Sequence, residues 1–567
     1  MRLSTLLTAT CTAFNIGIDA LKNPVIRGWN PDPHVLRVDD TYYIAVSSFN
    51  IYPGVPIYKS KNLADWELVS HAINRPNQVP LYGSRADNGI WAPSLSYIDG
   101  TFYMTSMAMW GSDATARTWP RIFWVTSKDL KEWSDPTWAD PYGIDPHLFR
   151  DPASGKDYLT LMGLNNVYDR VWGISQCQVN VDNGRCVGPY RRVWNGTLPV
   201  SATERPEGPK LFAKDGWYYL LIAEGGTGER HRATIARSKS PEGPWEGGPT
   251  NPLIFNNGVN ASLTIQNTGH ATFAEAPDGR WFATLLAKRY IGKNAPLGRE
   301  TFFSPVTWSE DGWPQMNGGK PLLLSQSFDN APDQTWPPPP FEDTFEGPEL
   351  SPHWYQLRTP YTKNYRLSDS GGVVFYPNVF TLSDRDTPAA LLRKQRSVNM
   401  TFTATLLPTS KTLGPWESIG ISAYQSEANH QDIGLRGCSA SLPTPDSYSG
   451  ANATSLCLFT ASTINGPGPG VRPNTTETPL PFSHIPEDFH LHVKSQPNAY
   501  KLGYSHGNES VTWVKEIPPS VLPAGFDGAM FALYASGNSL PWAFDGAEVG
   551  FRKAREAYEE ERLGDYV

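Results

Sequence analysis

A sequence motif, one tight turn followed by an aromatic-rich strand, recurs along the first half of the chain. It occurs five times, at Asp40–Tyr43, Gly100–Tyr103, Gly155–Tyr158, Asp215–Tyr219 and Asp278–Phe282. The spacing of roughly 55–63 residues is longer than most solenoid repeats and fits four-stranded propeller blades with loop insertions. We therefore predict an all-β fold that begins with a five-bladed propeller over residues 21–328. A sandwich lacks such long-range self-similarity.

Hydrophobic and polar positions also alternate in the second half, but without a long repeat. Alternating segments at 371–376, 401–407, 489–494 and 544–551 are separated by Gly, Pro and Asn, which favours a β-sandwich. Between the halves, Pro337–Pro340 forms a stiff connector that cannot join a sheet ladder. We predict a linker at 329–340, a sandwich at 341–552 and a charged tail at 553–567. The stretch Arg552–Arg562 is expected to be helix-permissive and peripheral.

Composition narrows the class of protein. Of the 567 residues, 39% are hydrophobic and 18% are charged, with 20 Trp, 25 Tyr and 24 Phe. These values fit neither a disordered chain nor a coiled coil. The net charge of −8 offers no basic excess for phosphates, so we expect no nucleic-acid partner. Beyond residue 20, no run of about 18 apolar residues predicts a membrane span.

The N-terminus and the cysteines indicate a secreted protein. Met1-Arg2 and the apolar run Leu3–Phe14 have the order of a signal peptide, predicted at 1–20. The cysteines beyond Cys11 form two close pairs, Cys177 with Cys186 and Cys438 with Cys457, for which local disulfides are the simplest interpretation and metal binding the alternative. Six glycosylation sequons suit a secreted glycoprotein surface: Asn195, Asn260, Asn399, Asn452, Asn474 and Asn508.

Polar groups recur about eleven residues upstream of the five aromatic strands described above, which we call the aromatic anchors. The aligned segments are Asp32-Pro33-His34, Ala92-Pro93-Ser94, Asp145-Pro146-His147, Glu207-Gly208-Pro209 and Gly269-His270-Ala271. The first strand of each propeller blade lies nearest the axis, so equivalent starts converge on one pocket at the mouth of the channel. We therefore expect three carboxylates and a histidine to face one another.

Converging carboxylates suit acid/base cleavage of a glycosidic bond, in which one protonates the leaving oxygen and another activates water. A third carboxylate nearby raises the pKa of the acid. Other polar motifs predict structural roles: Asp151 a turn, and Glu224 a structural carboxylate. Strand alternation predicts that His34 and His147 turn away from the pocket.

These motifs resemble glycoside hydrolase family 43, in particular its two-domain β-xylosidases and α-L-arabinofuranosidases. The matching stretches follow in order and cover nearly the whole chain: Asn23–Pro33, Gly89–Pro93, Pro206–Pro209, Ala223–Gly226, Ala236–Lys239 and Pro296–Glu300. The resemblance implies that the second domain is a concanavalin A-like jelly roll that lends a loop to the active-site rim.

The same resemblance implies roles for individual residues. Asp32 would be the general base, Glu207 the general acid, and Asp145 the carboxylate that tunes and orients the acid. The substrate-binding set would be Phe49, Trp91, His270, Arg299 and Phe526. No cofactor is expected to be required, although in some members His270 helps to hold a calcium ion or a water cluster at the propeller axis.

The expected enzyme is an inverting exo-glycosidase that removes terminal β-xylosyl or α-L-arabinofuranosyl residues from xylan-derived oligosaccharides. Two departures touch the sugar subsite: Ser94 stands where the family often has an acidic residue, and 47–54 lacks the acidic and Trp positions of many xylosidases. A related pentosidase or galactan glycosidase, or a carbohydrate-binding propeller without catalysis, are the alternatives.

Overall fold

The computed structural model describes residues 22–111, 118–200, 205–324, 340–438, 453, 455–466, 473–523, 525–542 and 548–566. The predicted signal peptide, most of the predicted linker and Asn452 lie outside these residues. Within them the chain is almost wholly β. Helices are confined to the single turn Asn256–Val259 and to the 3₁₀ turns Asn317–Gly319, Pro519–Val521 and Leu563–Tyr566.

The first domain contains the strands β1 (His34–Val38), β2 (Thr41–Ala45), β3 (Ile51–Tyr52), β4 (Gly54–Ser60), β5 (Glu67–Ile73), β6 (Gly89–Ile98), β7 (Thr101–Met109), β8 (Arg121–Ser127), β9 (Thr137–Tyr142), β10 (Ile144–Arg150), β11 (Asp157–Leu164), β12 (Trp172–Gln178), β13 (Arg191–Trp194), β14 (Glu207–Lys214), β15 (Trp217–Glu224), β16 (Arg232–Ser238), β17 (Glu246–Gly247), β18 (Ile265–Glu275), β19 (Trp281–Arg289), β20 (Arg299–Trp308) and β21 (Pro314–Met316).

These strands form five four-stranded antiparallel sheets in the described residues, which we number as blades 1 to 5. Their orders are β1-β2-β4-β5, β6-β7-β8-β9, β10-β11-β12-β13, β14-β15-β16-β17 and β18-β19-β20-β21. The aromatic anchors belong to the second strand of each blade. The first strands contact one another in sequence, and β18 contacts β1, so they form a closed ring.

The N-terminal segment fastens the ring to blade 5. The backbone N–H groups of Val25 and Asn30 donate to the carbonyls of Thr301 (2.9 Å) and Arg299 (2.9 Å) on β20. The Asn23 side chain exchanges two hydrogen bonds with the backbone of Phe303. Because these bonds join the two ends of the domain, they hold the segment that leads into β1 against β20 and place Asp32 close to Arg299.

The second domain contains the strands β22 (Phe341–Asp343), β23 (Gln356–Leu357), β24 (Tyr365–Leu367), β25 (Val373–Phe375), β26 (Ala389–Lys394), β27 (Met400–Leu406), β28 (Ser418–Ser426), β29 (Asn429–Gly437), β30 (Leu456–Thr463), β31 (Asn474–Pro479), β32 (Phe489–Gln496), β33 (Ala499–His506), β34 (Thr512–Ile517), β35 (Met530–Ser536) and β36 (Val549–Tyr558).

Two sheets form this sandwich. One has the order β24-β25-β36-β27-β32-β33-β34, with β22 also paired to β36, and the other has the order β26-β35-β28-β29-β30-β31. Alternate apolar side chains of both sheets, such as Phe402, Leu491, Ile421 and Leu533, form one buried core. The predicted all-β fold, with a propeller followed by a sandwich, is confirmed.

The predicted character of the C-terminal tail is wrong. Residues 553–558 continue β36, which lies between β25 and β27 in the first sheet. Beyond the strand, Glu561 is buried against the propeller, where its carboxylate accepts hydrogen bonds from Arg27 (2.7 Å) and Arg289 (2.9 Å). Glu561 is therefore paired with two propeller arginines, and the segment joins the two domains.

The interface of the two domains is continuous with the pocket described below. Strand β3 of the propeller pairs with β23 of the sandwich, with Ile51 opposite Leu357. Around this pair, Trp29 and Phe49 pack with Tyr355 and Leu392 in a shared apolar cluster. The aromatic wall of the pocket therefore rests on the second domain.

Both predicted disulfides are present, with Cα–Cα separations of 5.8 Å for Cys177–Cys186 and 4.9 Å for Cys438–Cys457. Of the predicted glycosylation sites, Asn195, Asn260, Asn474 and Asn508 are exposed. Asn399 is a correction, because its side chain is buried and donates to the Asp565 carboxylate (2.8 Å). No helix of the described segments has the length and apolarity to cross a membrane.

Candidate active site

The first strand of every blade carries the same backbone irregularity. One residue in the strand or just before it adopts a left-handed conformation: Asp32 (φ 55°), Ala92 (37°), Asp145 (54°), Gly208 (59°) and His270 (52°). In blades 2 to 5 the pairing with the second strand shifts register at this point. Such bulges re-aim side chains beside active sites, so the irregularity turns five strand starts toward the axis.

Three of these left-handed residues, Asp32, Asp145 and His270, line a cavity of about 130 Å³ at the mouth of the channel. Every residue that the sequence proposed for catalysis or substrate binding lines it: Asp32, Asp145, Glu207, Phe49, Trp91, His270, Arg299 and Phe526. Glu207 precedes its left-handed residue, whereas Asp32 and Asp145 are themselves left-handed. Glu207 therefore occupies the position of Trp91 in blade 2 and of Ile144 in blade 3, one residue before the position of the two aspartates.

Asp32 is held by two donors. Its Oδ1 accepts from Arg299 Nη1 (3.0 Å) and its Oδ2 from Ser47 Oγ (2.5 Å). Ser47 is itself fixed, because the backbone N–H of Ala92 donates to its oxygen (2.6 Å). The carboxylate is thus buried, paired with one cation and fixed in orientation, which suits a group that must accept a proton at a defined place.

Glu207 and Asp145 are buried close to each other and to Asp32. Burial, with the negative charges of Asp145 and Asp32 added, raises the pKa of Glu207 well above its ordinary value. Burial and Asp32 likewise raise the pKa of Asp145, against the opposing effect of Lys210 and of a hydrogen bond from the Gly208 N–H (2.9 Å). A carboxylic acid that keeps its proton near neutral pH can act as a general acid.

Aromatic rings and Arg299 form the walls. The Phe49 ring lies 5.4 Å from Trp29 and 5.8 Å from Trp91 between centroids. The Arg299 guanidinium lies over Phe49 (5.2 Å) and over Phe526 (5.3 Å). Aromatic faces beside a cationic donor suit the apolar face and hydroxyl edge of a sugar ring.

The rim comes from the second domain. Phe526 is half exposed, and its carbonyl accepts from Trp29 Nε1 (3.1 Å) and from Arg299 Nε and Nη2 (3.4 Å each). Lys288 Nζ donates to the neighbouring Gly525 carbonyl (2.7 Å). The same arginine therefore holds both Asp32 and the sandwich loop.

Sequence reasoning missed His231, which also lines the cavity. Its Nδ1 faces the Gly226 carbonyl (2.7 Å) and lies 4.0 Å from Glu207 Oε1. Burial lowers the pKa of His231 to about 4, so the ring is neutral with its proton on Nδ1. A Cβ on Gly269 would lie 2.3 Å from the ring, so only glycine leaves room for it.

His231 precedes β16, the third strand of its blade, and the repeat register of first strands could not point to it. Four further lining residues were also missed: Ile144, Arg205, Thr227 and Leu286.

The residues to which the sequence assigned structural roles do not line the cavity. Glu224 is fully buried and accepts from Thr197 N (2.7 Å) and Thr234 Oγ1 (2.6 Å). Asp151 accepts from Ala153 N (3.1 Å) within a turn and from Tyr218 Oη (2.7 Å). His34 and His147 lie in the channel beneath the cavity, each accepting a backbone hydrogen bond.

The channel residues do not fit a directly bound calcium ion. His270 Nε2 is buried without a partner in the described residues, but Nδ1 lies 3.5 Å from Asp32, which Arg299 already pairs. No group of three or more His, Cys, Asp or Glu side chains in the described segments is arranged to hold a metal. The Lys210 side chain enters the same channel and brings its own positive charge.

Comparisons with known proteins agree with this geometry. The family model for glycosyl hydrolases family 43 matches residues 21–314, and the β-xylosidase C-terminal concanavalin A-like domain matches residues 342–547. The non-reducing end α-L-arabinofuranosidase BoGH43B of Bacteroides ovatus is 34% identical over 416 residues, which cover 73% of this chain and 75% of the relative.

A xylan 1,3-β-xylosidase of a Vibrio species is 32% identical, covering 72% of this chain and 78% of the relative. Among solved structures, the xylan β-1,4-xylosidase of Bacillus halodurans superimposes with a TM-score of 0.81 at 28% identity, covering 95% of this chain and all of that one. The chain therefore belongs to glycosyl hydrolase family 43 and is a glycosidase with a C-terminal concanavalin A-like domain.

Proposed function

We propose that the protein is an inverting exo-glycosidase that removes terminal β-xylosyl or α-L-arabinofuranosyl residues from xylan-derived oligosaccharides. The observation that carries the proposal is the convergence of Asp32, Asp145 and Glu207 on one small aromatic-walled cavity. Relatives named as xylosidases and arabinofuranosidases support the pentose as the sugar.

Glu207 is the general acid in this proposal. It transfers its proton to the glycosidic oxygen, the bond from that oxygen to the anomeric carbon breaks, and the leaving group departs as an alcohol. Because burial and neighbouring carboxylates raise its pKa, the acid keeps its proton at the pH of turnover.

Asp32 is the general base. It takes one proton from a water molecule, whose oxygen attacks the anomeric carbon from the face opposite the leaving group, so the configuration inverts. Arg299 and Ser47 keep the carboxylate aimed at that water. An inverting enzyme needs about 6.5–9.5 Å between the two carboxyl groups to admit the water. After product release, Asp32 loses its proton to solvent and Glu207 regains one.

Asp145 and the walls position the reactants. Asp145 accepts from the N–H of the residue after Glu207 and acts on the acid through its charge. Phe49 and Trp91 provide faces for the sugar ring, and His231 Nε2, which has no partner within the described residues, can accept from a sugar hydroxyl. A cavity of about 130 Å³, rimmed by Phe526, accommodates a terminal sugar rather than the middle of a polymer.

Anomer-resolved proton NMR of the hydrolysis of nitrophenyl β-xylopyranoside and nitrophenyl α-L-arabinofuranoside tests the proposal. We expect the wild type to release a pentose whose first-formed anomer is opposite to that of the substrate. Glu207→Ala should remain folded and release almost none. Retention of configuration, or binding of xylo-oligosaccharides without cleavage of either pentoside, would contradict it.

We also propose that the protein acts outside the cell. The two disulfides support this, because such bonds persist in oxidising compartments. Mass spectrometry of the protein from its native culture medium should find the mature chain with both disulfides intact, and recovery of the chain from cell lysate alone would argue against secretion.

A further inference from the structure

Beneath the cavity lies a second layer of equivalent side chains, one from each blade. Each follows the left-handed residue of its first strand by two positions: His34, Ser94, His147, Lys210 and Thr272. All five are buried, with exposed fractions between 0% and 7%. We call this set the axial ring.

Four members of the axial ring bind the backbone of an adjacent blade. His34 Nδ1 accepts from Leu95 N (3.1 Å), Ser94 Oγ donates to the Pro146 carbonyl (2.9 Å), His147 Nδ1 accepts from Leu211 N (3.1 Å) and Thr272 Oγ1 donates to the Pro33 carbonyl (3.2 Å). These bonds join blades 1 to 2, 2 to 3, 3 to 4 and 5 to 1. Lys210 is the member of the axial ring at the junction of blades 4 and 5.

Lys210 breaks the pattern. Its Nζ is buried and has no hydrogen-bond partner in the described residues. A buried amine without a partner is costly, and a structural role between blades would be served by the short polar side chains used elsewhere in the ring. The exception therefore calls for a role in electrostatics.

Charged and titratable groups act on Lys210 from the first strands of blades 1, 3 and 5 and from Asp32, which lies two residues before β1. Asp145 and Asp32 attract its ammonium, and the charge of Lys210 acts on the imidazoles of His34, His147 and His270. Burial lowers the pKa of these three imidazoles, which are therefore neutral. Lys210 is the one member of the axial ring that can carry charge at neutral pH.

We propose that the Lys210 ammonium is the resident cation of the channel, which offsets the charge of the carboxylates above it and serves in place of an axial calcium ion. It is a positioning residue, since it acts through Asp145 and Asp32 and does not line the cavity. The inference rests on the proposed function only for its kinetic test.

The charge of Lys210 acts on the acid through Asp145. Lys210 lowers the pKa of Asp145, against burial and Asp32, and so favours the ionised form. Ionised Asp145 in turn raises the pKa of Glu207. The cation therefore extends to lower pH the range in which Asp145 is charged while Glu207 keeps its proton.

Replacing the charge tests this relay. Methionine is similar in length to lysine but neutral. Lys210→Met should therefore move the acidic limb of the pH profile of kcat/KM to higher pH, by about one unit or more. Lys210→Arg keeps the charge and should return the limb toward its wild-type position. A merely structural role predicts a lower melting temperature with an unmoved limb, and that result in folded Lys210→Met would overturn the proposal.

The metal content of the wild type tests whether Lys210 serves in place of calcium. This test requires neither turnover nor a variant. After dialysis against calcium chloride and then buffer, elemental analysis should find calcium well below one equivalent per chain. The melting temperature should be the same in calcium chloride and in EDTA. One equivalent of retained calcium, or a melting temperature that falls in EDTA, would overturn the proposal. A wild type inactive on every pentoside would count against the proposed function and leave this measurement valid.

Discussion

The propeller supplies every ionisable side chain that lines the cavity in the described residues, whereas the sandwich reaches it with one loop and the ring of Phe526. The three carboxylates and His270 stand on or just before first strands, whose backbone is fixed by the ladder within the blade and by contacts with neighbouring blades. The sandwich loop is held mainly by backbone groups, through contacts from Trp29, Lys288 and Arg299. The propeller thus carries the ionisable groups of the cavity, and the sandwich loop shapes the entrance to it.

The largest effect should come from the propeller carboxylates. Asp32→Asn and Glu207→Gln should each lower kcat by at least about 10²-fold, since general acid and base catalysis contribute 10²–10⁴. Circular dichroism should show an unchanged fold. Asp151→Asn is the matched control, because Asp151 is an aspartate of the same domain that lies in a turn outside the cavity, and its kcat should stay within about twofold of the wild type. Near-normal turnover of either cavity variant would refute the assignment.

Moving the sandwich loop should have the next largest effect. A Cβ on Gly528 would lie 2.5 Å from the Leu297 carbonyl, so Gly528→Ala must displace the loop and loosen the Arg299 contact. We expect kcat/KM to fall about tenfold to a hundredfold, as misplacement of about 1 Å can do.

Gly525→Ala is the control in the same loop, because its Cβ would meet nothing nearer than 3.9 Å. Equal kinetics of the two variants would show that the sandwich does not position the pocket.

The coupling between propeller carboxylates should appear in the pH profile. Burial first, and then the charges of Asp145 and Asp32, raise the pKa of Glu207. Asp145→Asn removes one of these charges and still offers an oxygen to the Gly208 N–H. The basic limb of kcat/KM should therefore move to lower pH, by about one unit. A limb that stays in place or moves upward would exclude Asp145 as a group that tunes the acid.

The smallest effect on turnover should come from the C-terminal contact between the domains. Burial alone would raise the pKa of Glu561, but Arg289 and Arg27 outweigh it and hold the pKa below its ordinary value. A lowered folded-state pKa gives stability that is present above the unfolded-state pKa of about 4.3 and lost as the pH falls.

Glu561→Gln should therefore lower the melting temperature at pH 7 by several degrees, in line with about 3 kcal/mol for a broken buried pair. The difference from the wild type should shrink below about pH 4. kcat at pH 7 should not change, and a constant difference in melting temperature across pH would refute the ionic origin.

Much of the site could be predicted from local patterns, because equivalent positions of the sequence repeat take equivalent places in each blade. Asp32 and Asp145 occupy the same position of their blades, and their convergence could be inferred without any knowledge of long-range contacts. The repeat could not reveal His231, which belongs to a third strand. The charged tail was misjudged because its partners, Arg27 and Arg289, are distant in sequence.

The sequence by itself determined the repeated turn-and-aromatic strands, the break between the two domains and the close cysteine pairs, since each depends on residues near one another in the chain. The tertiary structure decided the contacts that the repeat register does not specify. The one-residue offset that aims Glu207, the pairing of Arg299 with Asp32 across 267 positions and the lone amine of Lys210 in the axial ring all depend on how the blades close. Ring closure and domain docking arise from packing between whole sheets, which no local run of residues encodes.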